Sequence, residues 1–266
     1  NRYITGRGIE WNNEKNFLLG FSEVVIYSGR NRVLDFSYLN PISTHLEIEL
    51  NNKHNDLGTD NGNGVWQISM DYLFMSNLKI SFNYLFDEFV LDKVQRNANK
   101  DSEGGYSFKL IHSGNYFSEN NLSNIYTSFI VVGTNSFRHE DGYNNFVNRG
   151  RPLGWRHGSD GREFKIGFKN FNTRKKIFVG SAVGRRDMGM NSLVDNPYFG
   201  YTNYLSNEFP SGNFQKIHFF HLELQWWYKP YISFMLKIEH NIFEQKSNFG
   251  ELKTGLDIFF PLKTRL

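Results

Sequence analysis

Between Trp66 and Phe86 apolar and polar residues alternate, twice in succession. Trp66, Ile68, Met70, Tyr72 and Phe74 occupy every second position, with Gln67, Ser69 and Asp71 between them. After Met75-Ser76-Asn77 the pattern resumes as Leu78, Ile80, Phe82, Tyr84 and Phe86, opposed by Lys79, Ser81 and Asn83. A period of two sends successive side chains to opposite faces of a strand. The spacing therefore predicts a hairpin with one apolar, aromatic face and one polar face. A soluble sandwich would press the apolar face against a second sheet. An outer-membrane barrel would turn it to lipid and keep the polar face for a wet interior.

The same period predicts strands over Gly105–His112, Leu122–Thr134, Arg162–Phe171, Lys176–Arg185, Phe214–Tyr228, Tyr231–Phe243 and Glu251–Phe260. Ahead of Val65, Leu19–Tyr27 and Thr44–Leu50 also read as strands, giving about eleven in all. Bacterial single-chain barrels hold an even number, so an odd total points to a misread segment or to strands missing at the start. Short links at Met75–Asn77, Asn172–Lys175 and Lys229-Pro230 alternate with long ones at Leu91–Gly104, Asn135–Gly161 and Asp187–Asn213. Ser113–Asn121 is intermediate and takes a short-side place. Such alternation sorts every long loop to one end, as in barrels with tight periplasmic turns and long external loops. Greek-key sandwiches have no reason to sort them. Together these patterns predict an all-β, antiparallel transmembrane β-barrel of outer-membrane type, as one domain over residues 1–266.

Composition narrows the picture only a little. The mean hydropathy of −0.53 suits a barrel, because every second strand residue is polar. No run of roughly 18 apolar residues offers a membrane helix. Aromatics make up 17% of the chain, with 26 Phe and 14 Tyr, which fits interfacial girdles and sugar-stacking surfaces alike. A net charge of only +3 implies no nucleic-acid partner. Cysteine is absent, removing disulfide and thiolate chemistry. The first residue is Asn1, so a processed or partial chain is expected.

Several segments in order resemble the Wzi-type capsule assembly family of outer-membrane proteins. They are Gly20-Phe21-Ser22-Glu23-Val24-Val25-Ile26-Tyr27, Tyr38-Leu39-Asn40-Pro41, Leu85-Phe86-Asp87-Glu88-Phe89, Asn148-Arg149-Gly150-Arg151-Pro152-Leu153-Gly154, His157-Gly158-Ser159-Asp160 and Arg185-Arg186-Asp187-Met188-Gly189. The resemblance spans Gly6–Gly189. It implies a non-catalytic outer-membrane barrel, in contact with outer-membrane lipid, that holds capsular or surface polysaccharide at the cell exterior. Relatives in gliding bacteria support surface motility, so partners among other envelope proteins are also implied. The family's chain is longer upstream, which fits a partial chain lacking N-terminal strands. The end departs from the common aromatic terminus of barrels, since Pro261 and a tail to Leu266 follow Phe259-Phe260.

The stretch richest in chemistry is the loop Arg138–Arg162. The candidate polysaccharide-binding residues are Arg138, Tyr143, Arg149, Arg151, Trp155, Arg156, His157, Asp160 and Arg162. Arg forks take carboxylates in a bidentate way, and aromatic rings stack on the apolar faces of sugars. The alternative is that these charges, with His139, Glu140 and Asp141, pair with one another and merely fold the loop. A second loop, Asp187–Asn213, carries Tyr198, Phe199, Tyr201, Tyr204 and Phe209 as a sugar platform or as its own packing core.

Asp87-Glu88 suggests paired carboxylates for glycoside hydrolysis. Neighbours on a strand point to opposite faces, so a partner such as Glu23, Glu163 or Glu223 would be needed, and no enzyme is expected. Inward charges (Lys79, Asp87, Glu163, Lys165, His221, Glu223, Lys237, Glu239, Lys253, Asp257) suit cross-strand pairing and an occluded interior. No histidine spacing matches a zinc site. Neither metal nor cofactor is expected. The rival functions are a diffusion channel and a structural part of an adhesion or gliding machine.

Overall fold

The computed structural model describes residues 1–51, 62–87, 103–139, 142–197, 208–244 and 249–258. Eleven strands form one continuous antiparallel sheet. In chain order they begin with β1 (Arg2–Asn12), β2 (Phe17–Ser28), β3 (Asn63–Met75), β4 (Leu78–Phe86), β5 (Gly104–Gly114) and β6 (Asn121–Val132). A small separate hairpin, β7 (Val147–Asn148) with β8 (Arg151–Pro152), lies in the loop that follows. The sheet continues with β9 (Gly161–Asn172), β10 (Ile177–Met188), β11 (Gln215–Lys229), β12 (Ile232–Phe243) and β13 (Phe249–Ile258). Each sheet strand pairs with its predecessor and successor, leaving β1 and β13 as the outer strands.

The register makes the two-faced pattern continuous across the sheet. Ile68 pairs with Tyr84, Tyr84 with Tyr106, Phe108 with Phe129 and Phe129 with Phe164. Farther along, Ile166 pairs with Val183 and Val183 with Phe220. This apolar face is open: Tyr84, Phe108, Phe164, Ile166, Val183, Leu224, Trp226 and Phe234 are all exposed, and no second layer covers them among the described residues. A soluble sandwich would seal that surface, so the sandwich is excluded.

The opposite face carries the charges, and they pair as the alternation predicts. Glu163 bonds Arg186, directly across in the register, at 2.9 Å, and Lys165 at 3.0 Å. Glu223 bonds Lys237, also directly across, at 2.9 Å. Lys79 reaches Asp71 at 2.8 Å and Lys253 reaches Glu251 at 2.8 Å.

The connections sort as expected. The strand ends joined by 13–16, 76–77, 115–120, 173–176 and 230–231 lie at one end, and those joined by 29–62, 87–103, 133–160, 189–214 and the short link 244–248 at the other. Two expectations at the start of the chain fail and cancel in the count. Thr44–Leu50 is not a strand; it holds helix α1 (His45–Leu50). Thr44 caps it, its hydroxyl accepting from the Glu47 amide at 3.2 Å. Leu46, Ile48 and Leu50 alternate with Glu47 and Glu49, and in so short a segment alternation fits either state. The unread strand is β1, whose pattern is broken because Thr5 and Arg7 share the face of Ile9 and Trp11. Arg7 is tolerated there because it is paired with the buried Glu23 of β2.

Helix α1 and the 3-10 turn Phe36–Leu39 cover the outward face at the long-loop end of the first strands. Ile48 and Tyr38 pack on Val25 and Tyr27 in one small core. His45 bonds Glu23 at 2.7 Å and lies against the Trp66 ring. The candidate carboxylate Glu23 therefore faces away from Glu163 and Glu223 and shares no site with them. Phe259-Phe260 and the tail lie outside the described residues.

Replacing Ile166, mid-strand and outward, by Arg is expected to cost about 2–4 kcal/mol in refolding into lipid vesicles, as for a charge at a bilayer midplane. Lys165→Arg, one residue along and inward, is expected to cost far less. Urea titrations of the two variants test this, and equal losses would count against a lipid-facing surface.

Candidate functional site

The loop 133–160 does not extend from the sheet. It folds back into the long-loop end, on the charged face. Phe137 and Phe146 are buried against each other, ring centroids 5.6 Å apart, beside Ile26, Val65, Val132 and Leu193. Val24, Leu85, Ile130 and Trp155 pack around that cluster. These apolar residues interrupt the polar side of β2, β3, β4 and β6 only at their upper ends, where the loop enters.

Polar bonds fix the loop to both ends of the sheet. Arg2 on β1 donates to the carbonyls of Asn145 and Val147, while Arg156 reaches Glu239 on β12 at 3.2 Å. One loop can touch both strands on the same face only if the sheet curls around it. Ser28 donates to Asn144 at 2.7 Å, and the Asn63 amide donates to the Arg138 and Asn144 carbonyls at 3.0 Å each. At this end the charged face is thus covered by a folded loop.

The nine candidate residues divide into groups with different surroundings. Arg138 and Asp160 are buried inside the loop assembly. Arg138 donates to the Thr134 carbonyl at 3.1 Å, the Asn196 carbonyl at 2.6 Å and the Asn191 carbonyl. Burial pushes its guanidinium down to about 10. Asp160 is fully enclosed, with a left-handed backbone. Its carboxylate accepts from the Asn191 and Ser211 amides at 2.9 Å each, the Ser211 hydroxyl at 2.5 Å and the Thr134 hydroxyl at 2.9 Å. These two side chains tie the 133–160 loop to the 189–214 loop and have nothing left for a ligand.

Trp155 and His157 are half-buried and face inward, their rings edge to face at 5.1 Å. Trp155 and Phe137 roof a cavity of about 320 Å³. Its opposite wall is an amide ladder in which Gln67 donates to Asn83 at 2.8 Å and Asn83 to Ser107 at 3.1 Å. Arg156 donates to His157 Nε2 at 2.7 Å. Burial first, then the nearby charges of Arg186 and Arg156, hold His157 neutral, pushing it down to about 3 despite Glu163 at 3.7 Å. Arg162 stands on β9, paired with Asp187 at 2.9 Å.

Tyr143, Arg149 and Arg151 remain on the outer surface. Arg149 and Gly150 form the two-residue turn of the β7–β8 hairpin, with φ of 49° and 75°. Positive φ at both positions is what a tight hairpin of this twist requires. Neither Arg149 nor Arg151 meets a carboxylate among the described residues. Beside the turn lies a cleft of about 260 Å³, lined by Arg2, Asn145, Val147, Arg149, Leu193 and Pro197. Arg2 and Pro197 carried no signal in the sequence, since one stands on the unread strand and the other in a loop of ordinary composition.

Among the described residues, the carboxylates considered for acid–base work are engaged. Asp87 accepts from the Phe137 amide, and Glu163 and Glu223 hold the ion pairs described above. Glu88, Glu140 and Asp141 lie outside the described residues, as do Tyr198, Phe199, Tyr201 and Tyr204 of the aromatic loop.

Two results should follow. Asp160→Ala leaves the buried Ser211 amide without its acceptor, a loss of about 1–3 kcal/mol, and leaves the Asn191 amide only the Ser211 hydroxyl at 3.2 Å; faster proteolysis of 189–197 than of the strands would register it. His157, depressed when folded, takes up a proton on unfolding below its ordinary value of 6.5. Its contribution to stability is complete above that pH and is lost as pH falls towards about 3. Melting temperature should therefore drop more steeply between pH 6 and 4 in the native chain than in His157→Gln.

No protein-family model matches the chain, and no curated protein matches it by sequence. A solved structure does match, with a TM-score of 0.67 and 12% identity over 98% of this chain. The chain spans about half of that structure, 52% of its length. Identity this low carries the fold alone. In fold the chain is similar to Wzi of Escherichia coli, an outer-membrane protein involved in group 1 capsule assembly and described as a carbohydrate-binding β-barrel.

Proposed function

We propose that this protein is a non-catalytic outer-membrane barrel that holds an acidic capsular or surface polysaccharide at its long-loop end. The observation that carries the reading is the Arg149-Gly150 turn. It presents two arginines without carboxylate partners among the described residues, next to a cleft lined by Arg2 and the Asn145 side of the loop. Planar guanidinium groups suit the carboxylates of uronic acids, which they meet bidentately. Tyr143, 69% exposed, stands nearby in the chain and offers a ring face to a sugar.

The likeness to a carbohydrate-binding outer-membrane barrel supports the same reading, and the lipid-ready face supports the membrane location. The folded loop in the mouth argues against an open diffusion channel. The engagement of Asp87, Glu163 and Glu223 among the described residues argues against an acid and base pair for hydrolysis.

Arg149→Ala/Arg151→Ala should weaken binding of a uronic-acid polysaccharide at least about tenfold, each charged contact being worth about 1.5–3 kcal/mol. Binding to the native chain should fall with added salt. Calorimetry or surface plasmon resonance on the purified protein reads both. Full affinity in the double variant would overturn this placement of the site.

A further inference from the structure

Most inward lysines have a carboxylate within reach, as Lys79, Lys165, Lys237 and Lys253 do. Lys109 on β5 and Lys169 on β9 have none among the described residues. Their ammonium groups gather instead on one aromatic ring between them. Lys109 Nζ lies 4.8 Å from the centroid of Tyr126 on β6, and Lys169 Nζ lies 5.9 Å from it.

The register explains the cluster. Tyr126 stands opposite Ile111 on one side and Gly167 on the other. Lys109 precedes Ile111 by two positions and Lys169 follows Gly167 by two, so both are diagonal neighbours on the same face. Gly167 lets the ring lie down on the β9 backbone, since a Cβ there would come within 2.4 Å of the phenol oxygen. A tyrosine face attracts one ammonium weakly. It does not neutralise two, and the partly buried Lys109 and the exposed Lys169 share it with no carboxylate in reach of either among the described residues.

A cavity of about 220 Å³ adjoins the ring, with Lys165, Lys169, Arg156 and His221 in its wall. Two carboxylates also line it, Glu163 and Glu223, and both are already committed to cationic partners. His221 adds a buried Nδ1 with no hydrogen-bond partner. In that wall Lys169 is the lysine without a carboxylate among the described residues, and Lys109 stands outside the wall, across the Tyr126 ring on β5.

We propose that Lys109, Tyr126 and Lys169 form an anion-binding site on the inward face, taking one carboxylate or phosphate group of a small ligand. The cavity is below the usual range for drug-sized ligands, which suits a single charged group or one acidic sugar ring. This site is separate from the external arginines and does not rest on them.

Calorimetry at low ionic strength, on the protein in neutral detergent micelles, tests the proposal with glucuronate, inorganic phosphate and glucose. Glucuronate or phosphate should bind, and glucose should not. Binding by phosphate alone identifies a phosphate site; binding by glucuronate identifies one that admits an acidic sugar. Lys109→Met/Lys169→Met should lower anion affinity at least about tenfold, and Gly167→Ala, which displaces Tyr126, should also weaken it. Arg149→Ala/Arg151→Ala should leave it unchanged. If the lysine variant does not fold, dimethyl-lysine NMR of the native chain should show the Lys109 and Lys169 signals moving with the anion. Neither anion binding, glucose binding equally, or unchanged affinity in the folded lysine variant would each overturn the proposal.

Discussion

A sheet with one bare apolar face must satisfy its backbone groups within itself, and that constraint organises this molecule. Backbone groups facing hydrocarbon must be satisfied within the sheet, so the strands pair neighbour to neighbour in one unbroken antiparallel order. The pleat then divides side chains between two faces of opposite character. Rings and branched aliphatics cover the outward face, and ion pairs such as Glu163 with Arg186 and Glu223 with Lys237 occupy the inward one. Neither set would be stable if the register slipped by a single residue, because every side chain would change face.

The ends of the strands obey a different rule. There the outward face is no longer bare, since α1 and the Phe36–Leu39 turn cover Val25 and Tyr27. The inward face turns apolar where the 133–160 loop packs on Ile26, Val65 and Val132. The polar–apolar assignment is thus inverted locally by loops that bring their own cores. Asp160 and Arg138, bonded to backbone groups of the neighbouring loop, make the mouth one folded unit. That unit raises the Arg149-Gly150 turn above the barrel wall and leaves its arginines to solvent.

Most strands were legible because their two faces differ over most of their length, as from Ile68 to Tyr72 and from Leu78 to Tyr84. Strand β1 was not, because Arg7 breaks the apolar parity and its compensation, Glu23, lies on another strand. Helix α1 was misread because a short amphipathic segment satisfies both periods. The loop's concentration of arginines could be read directly, but which of them are consumed could not. Arg138 and Arg149 are the same residue type in the same loop. One is spent on three carbonyls and the other stands free of any carboxylate among the described residues, a distinction that only tertiary packing creates.

The division of the sheet into a lipid face and a wet face is the claim beneath every functional reading. A spin-label scan along β9 from Glu163 to Phe171, in lipid vesicles, measures it directly through collision with oxygen and with a polar nickel chelate. Labels at Phe164, Ile166 and Phe168 should respond to oxygen, and those at Lys165, Gly167 and Lys169 should not follow them. Low oxygen response at both sets, as in a face sealed by protein, would contradict the account.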